Sequence, residues 1–104
     1  MRYVGIDLST KTGLVIIEED GFIRTQEEIT HKCDTAESMM LMIHEVTEKI
    51  LPDDIVMIEG FGFASKQGFL LGGIGWGVRM ELVKRGIPFF LAAPSAVKKF
   101  GAGK

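Results

Sequence analysis

The chain has 104 residues, twelve bases against fourteen acids for a net charge of −2, and 46% hydrophobic residues. This fits one small globular domain spanning 1–104 and excludes collagen, coiled coil and intrinsic disorder. No uncharged stretch exceeds the length of Gln67 to Val78, far short of the roughly 20 apolar residues of a membrane span. No positively charged leader precedes it, and the lone Cys33 cannot form an internal disulfide, so a soluble cytoplasmic protein is expected.

Arg2 to Leu8 reads as a short β-rich run ending in the turn Ser9-Thr10-Lys11-Thr12-Gly13, and Gly13 to Glu19 as a second strand. Asp20-Gly21 marks a tight hairpin turn, and Phe22 to Thr30 a third strand whose polar composition suits a sheet edge. Short links between three consecutive strands predict an antiparallel meander. Asp34, with Glu37 three residues on, predicts a helix start. Ala36, Met39, Met40, Ile43, Val46, Thr47 and Ile50 then recur at helical spacing, with Met42 off the stripe, until Pro52 stops the helix. Asp54 to Glu59 is a fourth strand, free to lie parallel to the first because a helix separates them.

Between Gly60 and Gly77 seven of eighteen residues are glycine, yet Leu70, Leu71, Ile74, Val78 and Leu82 keep a helical stripe that ends near Gly86. Gly72, Gly73, Gly75 and Gly77 predict a face that another backbone approaches closely, either inside the molecule or from a partner. Ile87 to Ala92 is a fifth strand, followed by Pro94-Ser95 and a basic segment with Lys98 and Lys99. The order βββαβαβ is an α/β pattern.

Two carboxylates occupy matching places. Asp7 follows Tyr3-Val4-Gly5-Ile6, and Glu59 follows Ile55-Val56-Met57-Ile58. If those strands are parallel neighbours, their carboxyl ends coincide, where open α/β sheets bind ligands. Ionising two adjacent carboxylates near apolar surroundings is expensive, and a shared proton, a basic partner or a divalent cation relieves it. Oxygen ligands without a His or Cys cluster favour Mg²⁺, or Mn²⁺ in its place, over zinc. Taken singly, Asp7 would be an Asx-type cap on the Ser9-Thr10 turn and Glu59 the partner of a lysine. Charge is also segregated. Residues 1–60 carry five bases and thirteen acids, residues 61–104 seven bases and one acid, as expected if the second half meets a polyanion.

Gly5-Ile6-Asp7-Leu8-Ser9-Thr10-Lys11-Thr12-Gly13 resembles the first motif of the RuvC-like Holliday junction resolvases of the RNase H-like superfamily, and Ile58-Glu59-Gly60 resembles the second. Leu71-Gly72-Gly73 through Arg79, Gly86-Ile87-Pro88-Phe89-Phe90 and Ala93-Pro94-Ser95 with Lys98-Lys99 are similar to the helix, strand and basic segment of bacterial and phage members. The resemblance implies an RNase H-like mixed sheet, an antiparallel meander followed by parallel strands. It further implies a four-carboxylate, two-metal site that cleaves phosphodiesters in branched DNA, usually as a homodimer. Asp7 and Glu59 match the first two ligands. The family's helix carrying the third and fourth acids has no counterpart before Lys104, and Glu18, Glu19, Asp20, Asp53, Asp54 and Glu81 do not stand where a substitute would. The expectation is a shortened domain with absent or very weak nuclease activity.

Lys66, Arg79, Lys98, Lys99 and Lys104 are candidates for phosphate contacts, and Phe61 and Phe63 for stacking on an unpaired base. Other signals are weaker. His44-Glu45-Val46-Thr47-Glu48 lacks the second His of a zinc-protease helix, and His31 and Cys33 read as a strand-end His and a small buried thiol. Gly60 to Ser65 ends in Ser where a dinucleotide turn has Gly, so no nucleotide cofactor is expected. Gly101-Ala102-Gly103-Lys104 is not a P-loop. Two alternatives stand beside the nuclease: a non-catalytic DNA-binding or dimerisation module, and a fragment of an actin-like kinase in which Ser9 to Gly13 would hold a phosphate.

Overall fold

The computed structural model describes residues 1–59 and 68–92. Strands β1 (Tyr3–Asp7), β2 (Lys11–Ile17) and β3 (Ile23–Thr30) are followed by helix α1 (Ala36–Thr47), strand β4 (Ile55–Glu59), helix α2 (Gly68–Lys84) and strand β5 (Phe89–Ala92). They form one five-stranded sheet of order β3-β2-β1-β4-β5. The β3–β2 and β2–β1 pairs are antiparallel, the β1–β4 and β4–β5 pairs parallel. The βββαβαβ reading and the parallel pairing of the first and fourth strands are both observed.

Local chemistry accounts for the corners. The β2–β3 hairpin closes where Glu18 N–H donates to the Phe22 carbonyl (2.8 Å) and Gly21 N–H to the Glu18 carbonyl (2.9 Å). Gly21 takes φ +93°, open to glycine at little cost, and the Asp20 carboxylate accepts from Phe22 N–H. In β3 only Ile29 is buried, so its polar residues do form the solvated edge.

Helix α1 begins one residue later than its sequence signals. The cap is Thr35, not Asp34, because Thr35 holds the extended backbone from which its hydroxyl accepts the Ser38 N–H at 3.0 Å. The buried face also differs from the expected stripe. Met42 is fully buried and Met40 is 68% exposed, the reverse of the sequence assignment. Two surfaces claim α1 at once: Met42 and Val46 join the sheet core, while Met39 and Ile43 turn to α2.

The core lies between one face of the sheet and the two helices. Val4, Ile6 and Leu8 of the β1 segment, Leu14 and Ile16 of β2, and Val56 and Ile58 of β4 meet Ile74, Val78 and Leu82 of α2 there. Gly73 and Gly77 explain part of the glycine cluster. A Cβ built at Gly73 would lie 3.1 Å from Met39 Sδ, and one at Gly77 only 2.1 Å from Ile43 Cδ1, so close approach of the two helices needs both hydrogens. Helix α2 ends in a Schellman turn. Gly86 (φ +72°) donates to the Val83 carbonyl and Ile87 to the Leu82 carbonyl, with Leu82 and Ile87 both buried. Among the described residues no helix is long and apolar enough to cross a membrane.

Two predictions follow from this packing. Gly77→Ala forces Ile43 to repack, at about 1–3 kcal/mol of overpacking against about 1 kcal/mol of gained helix propensity. It therefore lowers the melting temperature. Gly72→Ala meets no described atom within 4 Å and raises it, and paired thermal melts check the opposite signs. The second concerns Cys33, which is buried at φ +57°. Burial first, then the neighbouring Asp34 charge, push its thiol pKa above the usual 9.0. The folded state then holds the proton more tightly than the unfolded one, so stability is intact below that value and falls as pH rises past it. Iodoacetamide at pH 9 should label the unfolded chain far faster than the folded one.

Candidate functional site

The β1–β4 register decides where the two sequence-predicted acids stand. Tyr3 pairs with Ile55, Val4 with Val56, Gly5 with Met57 and Ile6 with Ile58, and one further step sets position 7 beside position 59. Across the other ladders Asp7 faces Gly13 and Glu59 faces Ala92. One row at the carboxyl edge of the parallel strands thus reads Gly13, Asp7, Glu59, Ala92, two acidic positions flanked by two of the smallest residues. Neighbouring strands lie about 4.8 Å apart. Val4, Ile6 and Leu8 face the helices, so by alternation Asp7 lies on the opposite face, where it is half-buried. A side chain at Gly13 would begin 3.7 Å from Asp7 Cβ, an ordinary van der Waals contact.

The other end of the same strands fixes that register. Ile55 N–H donates to the Arg2 carbonyl (2.9 Å). The Arg2 guanidinium grips Asp54 through Nε to Oδ1 (3.0 Å) and Nη2 to Oδ2 (2.7 Å), and also donates to the Lys49 carbonyl. Asp54, 4% exposed, accepts Leu51 N–H as well. Arg85, just beyond α2, donates to the Thr47 and Ile50 carbonyls at 2.7 Å each. Two guanidiniums therefore close the carbonyl end of α1, where the helix dipole favours cations. The hydrogen bond to Asp54, reinforced by its charge, raises the pKa of the Arg2 guanidinium above its ordinary value. These residues escaped the sequence reading. Only the spacing of Arg2 before one strand and Asp54 before its parallel partner could have signalled them.

The turn after β1 is organised by hydroxyls. Ser9 Oγ accepts Lys11 N–H (2.9 Å), and the fully buried Thr12 donates its Oγ1 proton to the Ser9 carbonyl (2.6 Å). Ser9 and Thr12 thus serve the turn itself, which leaves the phosphate-loop alternative without support from them.

Compared by sequence, the chain matches no protein-family model and no curated protein. Compared by structure, it is similar to Thermus thermophilus RuvC in complex with a Holliday junction substrate, with a TM-score of 0.72 and 18% identity over 95% of this chain and 68% of that one. A second Thermus thermophilus RuvC structure gives a TM-score of 0.68 and 22% identity, covering 99% of this chain and 70% of that chain. The fold is that of RuvC. The RNase H-like mixed sheet expected from the motifs is the one observed.

On this RuvC fold the remaining sequence candidates separate. Arg79 sits about 16 Å along α2 from Gly68, its guanidinium 4.3 Å from the centre of the Trp76 ring and its Nε donating to the Gly75 carbonyl. Phe61, Phe63, Lys66, Lys98, Lys99 and Lys104 lie outside the described residues, as does the Pro94-Ser95 segment. His31 Nε2 meets Glu45 Oε1 at 2.6 Å, and the exposed His44 pairs with Glu48. Among the described residues no three His, Cys, Asp or Glu side chains gather as a metal site. Of the C-terminal basic residues, Arg85 is spent on capping α1, so part of the charge asymmetry is answered within the molecule.

Removing the clamp should loosen the register on which the acidic row depends. Arg2→Met leaves the Asp54 carboxylate buried without its counter-charge, a loss of about 3 kcal/mol. For a domain of this size that lowers the melting temperature by more than 10 °C, whereas the exposed Lys11→Met changes it little; differential scanning calorimetry of the two variants is the check.

Proposed function

We propose that this chain is the core of a divalent-metal-dependent endodeoxyribonuclease that acts on branched DNA as a homodimer. The observation that carries the reading is the row placing Asp7 and Glu59 on adjacent parallel strands, at the carboxyl edge of a sheet shared with a protein bound to a Holliday junction. The donor set suits a hard cation. Two carboxylate positions, with no His or Cys in the row, fit Mg²⁺ or Mn²⁺. Ions held there would generate a hydroxide from bound water and neutralise charge on the leaving oxygen. The chain's own part is to keep the two acids in one row and to hold the DNA backbone, for which Lys66, Arg79, Lys98, Lys99 and Lys104 are proposed, with Phe61 and Phe63 as stacking residues.

Two carboxylates are fewer than the four of the resembled family, so cleavage by this chain is proposed to be weak or absent, with binding of branched DNA retained. The test is Mn²⁺ titration of the unchanged chain, Asp7→Asn and Glu59→Gln, alongside cleavage of a four-way junction. Each substitution should weaken Mn²⁺ binding about tenfold or more. Equal Mn²⁺ affinity in all three proteins would overturn the metal site, and rapid junction cleavage by the unchanged chain would overturn the proposed weakness.

A further inference from the structure

Three of the five bases in residues 1–60 are engaged within the molecule. Arg2 holds Asp54 at 2.7 Å, Arg24 pairs with Glu18, and Lys49 stands 3.6 Å from Glu27. These three lie toward the end of the sheet where β1 starts. Lys11 and Lys32 are the other two, both exposed and neither ion-paired with a described residue. They stand at the opposite end, beside the acidic row. Lys11 opens β2 and pairs with Thr30, the last residue of β3, and Lys32 follows two residues later. Gly13, two residues along from Lys11, is the rung partner of Asp7. Alternation therefore sets Lys11 on the Asp7 face, about 7 Å beyond the row.

The corner that carries the two lysines is tied from several sides. Ser9 holds Lys11 N–H and Thr12 holds Ser9, as described above, and His31 N–H donates to the Thr10 carbonyl at 3.1 Å. That last bond joins the Lys11 turn to the end of β3, and the His31 ring meets Glu45 of α1. Acids are close in the fold: Glu28, the rung partner of Gly13, shares the Asp7 face, and Asp34 follows Lys32 by two residues. Neither takes a lysine as an ion-pair partner among the described residues.

A polyanion approaching Asp7 and Glu59 is repelled by both, and cations beside the row offset that repulsion. We infer that Lys11 and Lys32 hold backbone phosphates of the DNA on the β2–β3 side of the acidic row, the flank away from β4 and β5. This rests on the branched-DNA reading above and extends it, because every phosphate contact proposed there belongs to residues after β4. An ammonium acts on phosphate as a point charge and reads no base, so these contacts add salt-sensitive affinity without sequence choice.

The test is fluorescence anisotropy of a labelled four-way junction with the full chain, in Ca²⁺ and between about 50 and 200 mM KCl. Lys11→Met and Lys32→Met should each lower the slope of log affinity against log salt by about one. Together they should weaken binding about tenfold or more at the lowest salt. Lys11→Arg and Lys32→Arg keep the charge and should bind as the unchanged chain does. Lys49→Met removes the same charge at the far end of the sheet, beyond a screening length of about 10 Å, and should change affinity by less than about twofold. Failure of the unchanged chain to bind the junction overturns the branched-DNA reading and this surface together. Junction binding that the double methionine variant keeps in full, or that Lys49→Met weakens as much, overturns the surface alone.

Discussion

The clamp at the carbonyl end of α1 is the constraint on which the rest of the molecule depends. A helix end leaves carbonyl oxygens without partners, and here the guanidiniums of Arg2 and Arg85 supply donors from two other parts of the chain. Asp54 ties Arg2 to the approach of β4. The same few bonds thus align the starting ends of β1 and β4, and a parallel ladder once aligned carries that alignment along its length. A slip of one residue would place position 59 opposite a side chain on the other face of the sheet. The acidic row at the far end is therefore held by ionic hydrogen bonds five residues away from it.

Two kinds of small residue do different work. Gly13 and Ala92 border the acidic row in the strand pairing, whereas Gly73 and Gly77 let α1 and α2 approach until Met39 and Ile43 fill the space a methyl group would need. Neither role could be assigned from the residue type alone. The first follows from strand pairing, the second from how the helices face one another.

Much of the architecture was legible because its signals were local. Alternating and continuous apolar runs marked the strands, Asp20-Gly21 marked the hairpin and Gly86 the end of α2, and each is realised by a hydrogen bond or a positive φ at that residue. The placement of Asp7 and Glu59 was legible for a topological reason, since a helix between two strands permits parallel pairing. What failed was the rotation of α1. Met40 and Met42 are chemically identical, and only the simultaneous demands of the sheet and α2 decide which is buried. The Arg2–Asp54–Arg85 clamp was invisible for a related reason: its members are 52 and 31 residues apart and none belongs to a recognisable motif.

That separation bears on how the chain acquires its shape during synthesis. The meander joins residues close in sequence and can pair once the first thirty have left the ribosome, but β1 has no parallel neighbour until β4 appears. The open carbonyls of α1 wait longer still, for an arginine at position 85. Pairing across such distances is slow to form, and the cap on α1 depends on a residue translated after α2. The last turn of α2 completes both itself and the helix translated before it.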